Sequence, residues 1–251
     1  MCFLCTSGRY NLCKNVAFLG VYPTNGTIQR YKTHPARYCH KLPPNVSYVE
    51  GALLEPLSVV LQAVKSADFS LGRGALICGA GPIGLMALAA ARASGAHPLV
   101  ITDLEPGRLV FAQKFVPAVK TYLVDRGLDA KGNAEKIRVL FEGGGGGVGE
   151  YGAPQTVLEC TGAKSSVATA VYAARLGGTV VVIGIKLKFS QRYCDTWPAG
   201  LQCLAGGIVD LKPMVTHTFP LEKAVDALHI CGDYGNGSVK VQIVDEVDDV
   251  L

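Results

Sequence analysis

The stretch that decides the reading is Ala75-Leu76-Ile77-Cys78-Gly79-Ala80-Gly81-Pro82-Ile83-Gly84, followed 19 positions later by Asp103. Four apolar residues run into G-x-G-x-x-G, and a small-residue helical pattern begins at Pro82 and Ile83, inside the turn. That order predicts a strand, a tight turn and a helix N-terminus. Gly79 permits the sharp turn, Gly81 lets the backbone approach a pyrophosphate, and Gly84 lets the helix lie close to the strand. Unpaired N–H groups and the positive end of the helix dipole then face the phosphates.

Working outward, the chain alternates strand and helix patterns. Pro98–Thr102 reads as a second strand ending on Asp103. That position is close to the interval of about 20 residues expected of a ribose-binding acid. A carboxylate there accepts hydrogen bonds from both adenosine ribose hydroxyls and repels a 2′-phosphate, which points to NAD over NADP. Capping of the following helix explains the same residue equally simply. Arg108 reads either as a solvated helix residue or as a flank of the adenine end. Tyr122–Val124 is expected as a third strand, Asn133–Phe141 as a polar helix, and Gly143 to Gly147 as a flexible surface loop. Gln155–Cys160 follows as a strand, Ser165–Leu176 as a helix, and Thr179–Ile185 as a strand buried on both faces. Strand ends along one edge of a doubly wound sheet form a ligand crevice, which makes Thr161, Gly184 and Ile185 candidate lining residues.

The 251 residues suffice for one large domain or a domain with a smaller lobe. With 49% hydrophobic and 18% charged residues, the composition is that of a well-buried α/β protein. A net charge of +4 gives no footprint for nucleic acid. No apolar run approaches the roughly 20 residues of a membrane helix. The N-terminus lacks the regions of a signal peptide, and nine scattered cysteines without a secretion signal suit a reducing compartment, the cytoplasm by default. Cys2, Cys5 and Cys13 form C-x2-C-x7-C. Such a spacing aims thiolates at one zinc ion, whereas free surface or core thiols explain it too.

Residues 14–55 contain short β-like runs at Val16–Val21, Thr27–Tyr31 and Arg37–Lys41, separated by turn formers, and so suggest a small β-rich lobe. Ser47–Ala63 reads as two short helices meeting at Glu55-Pro56. Glu55 interrupts an apolar run, so it either emerges at the surface or faces a site. Beyond residue 195, a helix is expected at Thr196–Ala205, an extended segment at Val209–Val215, a helix at Leu221–Leu228 and a strand at Lys240–Val244.

Taken together, GRYNLC, HKLPPNVSYVEGALLEPLSV, CGAGPIGL, VITDLEPGRL, ECTG, RYCDTWP and VTHTFPLEKAVDAL resemble the zinc-dependent polyol dehydrogenases of the medium-chain dehydrogenase/reductase superfamily. These are the sorbitol, xylitol and L-arabinitol enzymes, and the overall similarity is nearest to the fungal L-arabinitol branch. The resemblance implies an α/β fold: a Rossmann doubly wound parallel sheet with a partial GroES-like β-rich domain built from both chain ends. The corresponding boundaries are residues 1–56 for the partial GroES-like catalytic domain, 57–210 for the NAD-binding domain and 211–251 for the C-terminal return. It implies hydride transfer from a secondary alcohol to nicotinamide, with zinc polarising the substrate oxygen.

By the same resemblance Glu55 lies near the catalytic zinc, Arg192 and Tyr193 contact the polyol, and Phe18 walls the substrate pocket. Ile83, Asp103 and Arg108 hold the pyrophosphate and adenosine ribose, and Cys2, Cys5 and Cys13 are three of four structural-zinc ligands. The family's first cysteine of that loop, and its Cys and His-Glu catalytic ligands, would precede Met1. Only six residues separate Ile185 from Arg192, where the family carries a longer segment that includes part of its tetramer contact. The expected activity is therefore NAD-dependent oxidation of a polyol, the alternative being an NAD-binding remnant without turnover. A zinc-free quinone reductase of the same superfamily is a third reading, and the thiol cluster and Glu55-Pro56 argue against it.

Overall fold

The computed structural model describes residues 2–67, 69–142, 149, 152–183, 196–233 and 235–245. The chain divides into two compact units: Leu53–Val209, and the two chain ends Met1–Ala52 with Asp210–Leu251.

In the unit of the chain ends, α1 spans Phe3–Thr6 and α2 spans Tyr48–Gly51. In the larger unit, α3 (Leu54–Ala67) leads to β1 (Ala75–Cys78), α4 (Pro82–Ala93), β2 (Leu99–Asp103), α5 (Pro106–Phe115) and β3 (Lys120–Leu123). Then come α6 (Ala130–Glu142), β4 (Thr156–Glu159), α7 (Lys164–Ala173), β5 (Thr179–Val182) and α8 (Trp197–Ala205). The chain ends close with β6 (Val215–Pro220), α9 (Ala224–Gly232) and β7 (Lys240–Val244).

Five parallel strands form one sheet in the order β3-β2-β1-β4-β5, with β1 central. Every residue of β1, β2 and β4 is buried, as expected of parallel strands covered by helices on both faces. Register pairs Cys78 with Thr102 on one side and with Glu159 on the other, so the C-terminal ends of β1 and β4 lie level and β2 runs one residue further, to Asp103. One face of the sheet packs Leu76, Cys78, Val100 and Val157 against Ala134, Ile137 and Phe141 of α6 and Ala170 and Ala173 of α7. The order reverses at β1: β2 and β3 lie to one side and β4 and β5 to the other. This is the switch point at which open α/β sheets bind ligands.

Several local expectations are corrected. Val16–Val21, Thr27–Tyr31 and Arg37–Lys41 are not strands, and Ala36–Tyr38 is a 3-10 turn. A strand is stabilised by a paired neighbour and a buried face. These runs have neither, and Val21, Tyr22, Ile28 and Tyr31 stay exposed. The helix break falls at residues 52–53, not at Glu55-Pro56. Pro56 sits in the first turn of α3, where its missing N–H has no intrahelical partner to lose. A capping box starts the preceding helix α2, in which Ser47 and Glu50 satisfy each other's backbone N–H. β5 lies at the sheet edge, and its first two residues are only half-buried. The extended segment expected at Val209–Val215 is displaced to β6, which pairs in parallel with β7 across α9. The glycine run at 143–147 lies outside the described residues.

Candidate functional site

The apolar strand β1 delivers the chain to a turn whose three glycines meet three different demands. Gly79 has φ +97°, a conformation that costs an L side chain dearly. Its N–H donates to the Thr102 carbonyl at 2.8 Å, so the turn stays tied to β2. At Gly84 an added Cβ would lie 1.8 Å from the Gly79 carbonyl oxygen, which makes the closest helix–strand approach possible only with glycine. Gly81 differs from both. Its backbone is extended, at φ −75° and ψ −177°, and an added Cβ would meet no atom within 4 Å. The space above Gly81 is open to a ligand, next to the N-terminus of α4, where Pro82 takes the first helical position and no side chain caps the helix. Ile83 is half-buried in the same turn.

Two carboxylates flank this turn. Asp103, at the end of β2, is 9% exposed. Its Oδ2 accepts the Ala80 N–H at 2.7 Å and its Oδ1 accepts the Glu105 N–H at 2.9 Å, so it braces the glycine turn and the start of α5 together. Arg108 Nη1 stands 3.9 Å from Asp103 Oδ2. On the other side, Glu159 ends β4 fully buried. It accepts hydrogen bonds from Thr161 and Gly162, whose backbone N–H groups lie 3.0 Å away, and from the Thr161 and Ser166 hydroxyls. Thr161 leans over the turn, with its Cγ2 2.8 Å from where a Cβ on Gly79 would sit. Cys78 lies beneath, and burial first, with the Glu159 charge second, pushes its thiol up to about 12.

The fold thus gathers Gly79, Gly81, Pro82, Ile83, Gly84, Asp103, Arg108 and Thr161 along one sheet edge. Glu55 stands exposed in the first turn of α3, within the same unit. Phe18 is half-buried in the unit of the chain ends. Gly184, Ile185, Arg192 and Tyr193 lie outside the described residues. Sequence reasoning missed Glu159 as a structural centre. The one available signal was an acid closing an otherwise apolar strand immediately before Cys-Thr-Gly.

A separate cluster lies in the unit of the chain ends. Cys2 Sγ lies 3.6 Å from Cys5 Sγ and 3.7 Å from Cys13 Sγ, and all three sulfurs fall within 4.8 Å of one another. A tetrahedral ion with Zn–S bonds of about 2.3 Å spaces its sulfurs by about 3.8 Å, so the three thiols fit a zinc ion. The Cys5 backbone N–H, followed by the Cys5 thiol, lowers the Cys2 thiol to about 7, while the Cys13 and Cys2 thiols raise Cys5. Among the described residues this is the sole group of three candidate ligands, and Glu55 is not part of it.

A glycine turn at the switch point of a parallel sheet, braced by an acid at the end of the second strand, defines a Rossmann-type dehydrogenase unit. Residues 82–196 match the family model described as zinc-binding dehydrogenase. The chain is 45% identical to L-arabinitol 4-dehydrogenase of Aspergillus niger, over 99% of this chain and 69% of that protein. It is 39% identical to sorbitol dehydrogenase of Macaca fascicularis, over 89% of this chain and 64% of that protein. The fold superposes on an Escherichia coli oxidoreductase/dehydrogenase of unknown specificity with a TM-score of 0.81 and 27% identity, covering 98% and 72% of the two chains. The chain belongs to the zinc-dependent polyol dehydrogenases, and is an oxidoreductase by family.

Proposed function

We propose that this protein oxidises a secondary alcohol of a polyol of the L-arabinitol, xylitol or sorbitol class to a ketose with NAD, and that Leu53–Val209 is its NAD-binding domain. The two chain ends then form the partial GroES-like domain. The observation that carries this reading is the open space over Gly81 beside the Asp103 carboxylate, in a chain 45% identical to an L-arabinitol 4-dehydrogenase. In it, Gly79, Gly81, Pro82, Ile83 and Gly84 receive the pyrophosphate. Asp103 receives the adenosine ribose, with Arg108 beside it. Each Asp103 oxygen accepts one N–H, and a carboxylate has about four acceptor positions, which leaves two for ribose hydroxyls. Its charge also opposes a 2′-phosphate.

Thr161 stands over the turn on the side where the nicotinamide would lie, and the position of Gly184 and Ile185 at a strand end in the sequence gives them the same role. Bound nicotinamide supplies the hydride acceptor, and bound zinc supplies a Lewis acid for the alcohol oxygen. By family resemblance alone, Glu55 would serve the zinc chemistry, Arg192 and Tyr193 would orient the polyol, and Phe18 would contact its apolar face. Cys2, Cys5 and Cys13 hold a structural zinc. The eight described cysteines are all free thiols, the state a reducing cytoplasm maintains, and a homo-oligomer fits the family.

Zinc-loaded protein incubated with NAD and each polyol tests the reading by NADH formation. A second reading, NAD binding without turnover, is favoured by one observation: among the described residues the sole group of three candidate metal ligands is the cysteine cluster, with no such group around Glu55. NADH binding without turnover selects that second reading, and failure to bind NADH rejects both.

A further inference from the structure

We propose that Glu159 is a positioning residue for the cofactor crevice, acting through Thr161; this rests on the NAD-binding reading. A buried carboxylate is costly unless its charge is met by donors. Glu159 meets that requirement within a single turn. Oε1 accepts the Thr161 N–H, the Thr161 hydroxyl and the Ser166 hydroxyl, and Oε2 accepts the Gly162 N–H. All four donors belong to the β4–α7 turn or the first turn of α7. Among the described residues no ion pair involves Glu159, so its charge is compensated by the geometry of this turn. Gly162 completes the turn with φ +72°.

The consequence falls on one rotamer. Thr161 Oγ1 donates to Glu159 and accepts the Ala163 N–H at 3.1 Å, so its χ1 is fixed from both sides. That rotamer directs Cγ2 at Gly79, the first glycine of the phosphate turn. A threonine released from Glu159 is free to sample three staggered positions. If one of these suits the cofactor, the competent fraction falls to about a third, and the apparent Kd rises about threefold. Where both acceptor oxygens are lost, as in Glu159→Ala, loosening of the turn that carries Thr161 adds to this.

The experiment is an NADH fluorescence titration on the full chain, with the melting temperature measured without cofactor. Glu159→Ala is expected to weaken NADH about tenfold. Glu159→Gln keeps one acceptor oxygen for Thr161 and is expected to recover most of that loss, settling near threefold. Because Glu159 acts through Thr161, adding Glu159→Gln to Thr161→Ala should weaken NADH no further than Thr161→Ala does. NADH affinity within twofold of wild type in both Glu159 variants, with only the melting temperature lowered, overturns the inference. Multiplying effects in the double variant overturn it as well. If Glu159→Ala does not melt cooperatively, the Gln variant and the double variant decide. A wild-type protein that binds no NADH refutes the cofactor reading itself, and this inference with it.

Discussion

Gly81→Ala separates a glycine required by the fold from one required by a ligand. At Gly81 the backbone is extended, at φ −75°, and a Cβ meets nothing within 4 Å. Alanine therefore enters without strain, and the stiffer unfolded chain gains the folded state about 0.4–1 kcal/mol. For a chain of this size that raises the melting temperature by about 1–4 °C. At Gly84 the same substitution places Cβ 1.8 Å from the Gly79 carbonyl oxygen and 2.8 Å from its carbon. Neither atom is a side-chain end that can swing away, so the turn and α4 must separate. Overpacking of this kind costs about 1–3 kcal/mol and, against backbone, more. If a pyrophosphate occupies the space over Gly81, the new methyl stands where it must approach, and NADH affinity should fall at least about tenfold, or roughly 1.4 kcal/mol. Thermal unfolding read by circular dichroism, paired with an NADH titration, gives both quantities for both variants. A folded Gly81→Ala protein that binds NADH like wild type would refute the placement of the phosphates. A destabilised one would refute the packing argument.

Asp103→Ser removes the acceptor of two backbone N–H groups and the charge facing the ribose. It should lower stability by about 2–4 kcal/mol in denaturant titrations and narrow the preference for NADH over NADPH; an unmutated protein that prefers NADPH would contradict the role given to Asp103. Zinc added to reduced protein should bind through Cys2, Cys5 and Cys13, releasing protons and raising the melting temperature, and Cys5→Ser should abolish the high-affinity stoichiometry; an unchanged stoichiometry would remove the cluster as the site. Burial raises the folded Cys78 thiol to about 12 from 9.0, so the native state holds its proton more tightly than the unfolded chain does. Its contribution is complete below pH 9 and is lost as pH rises from 9 to 12, about 1.4 kcal/mol by pH ~10. Cys78→Ala should flatten that alkaline limb, and equal slopes for the two proteins would refute the assignment.

The parallel sheet was legible because burial on two faces leaves an unbroken apolar run. ALIC, LVITD and TVLE are buried at every position, and each was readable from its own residues. The place of Asp103 at the end of β2 was legible from the apolar run before it. That run did not reveal that its oxygens bond to the Ala80 and Glu105 N–H groups, because that bond joins two separate turns. The β-like runs of residues 16–41 failed for the converse reason, since β-branched and aromatic residues mark a strand only where a partner and a buried face exist. β6 carried a period-2 signal, with Val215, His217 and Phe219 turned inward and Thr216 and Thr218 outward, but its polar residues disguised it.

The two carboxylates at the sheet edge show where local reading ends. Asp103 and Glu159 close the strands on either side of β1, and both accept backbone N–H groups from turns at the crevice. Asp103 is still reachable by a ligand through its remaining acceptor positions, whereas Glu159 is sealed beneath Thr161 and Gly162. One acid therefore braces two turns with acceptor positions to spare, and the other is enclosed by the turn it braces. That division follows from register and burial. The register places Cys78 opposite Thr102 and Glu159, so Asp103 projects one residue beyond the level at which Glu159 is enclosed. A one-residue offset at the edge of a parallel sheet also reverses the face toward which a side chain points. It is this offset, more than the identity of either acid, that leaves Asp103 at the edge of the crevice and Glu159 enclosed beneath the β4–α7 turn.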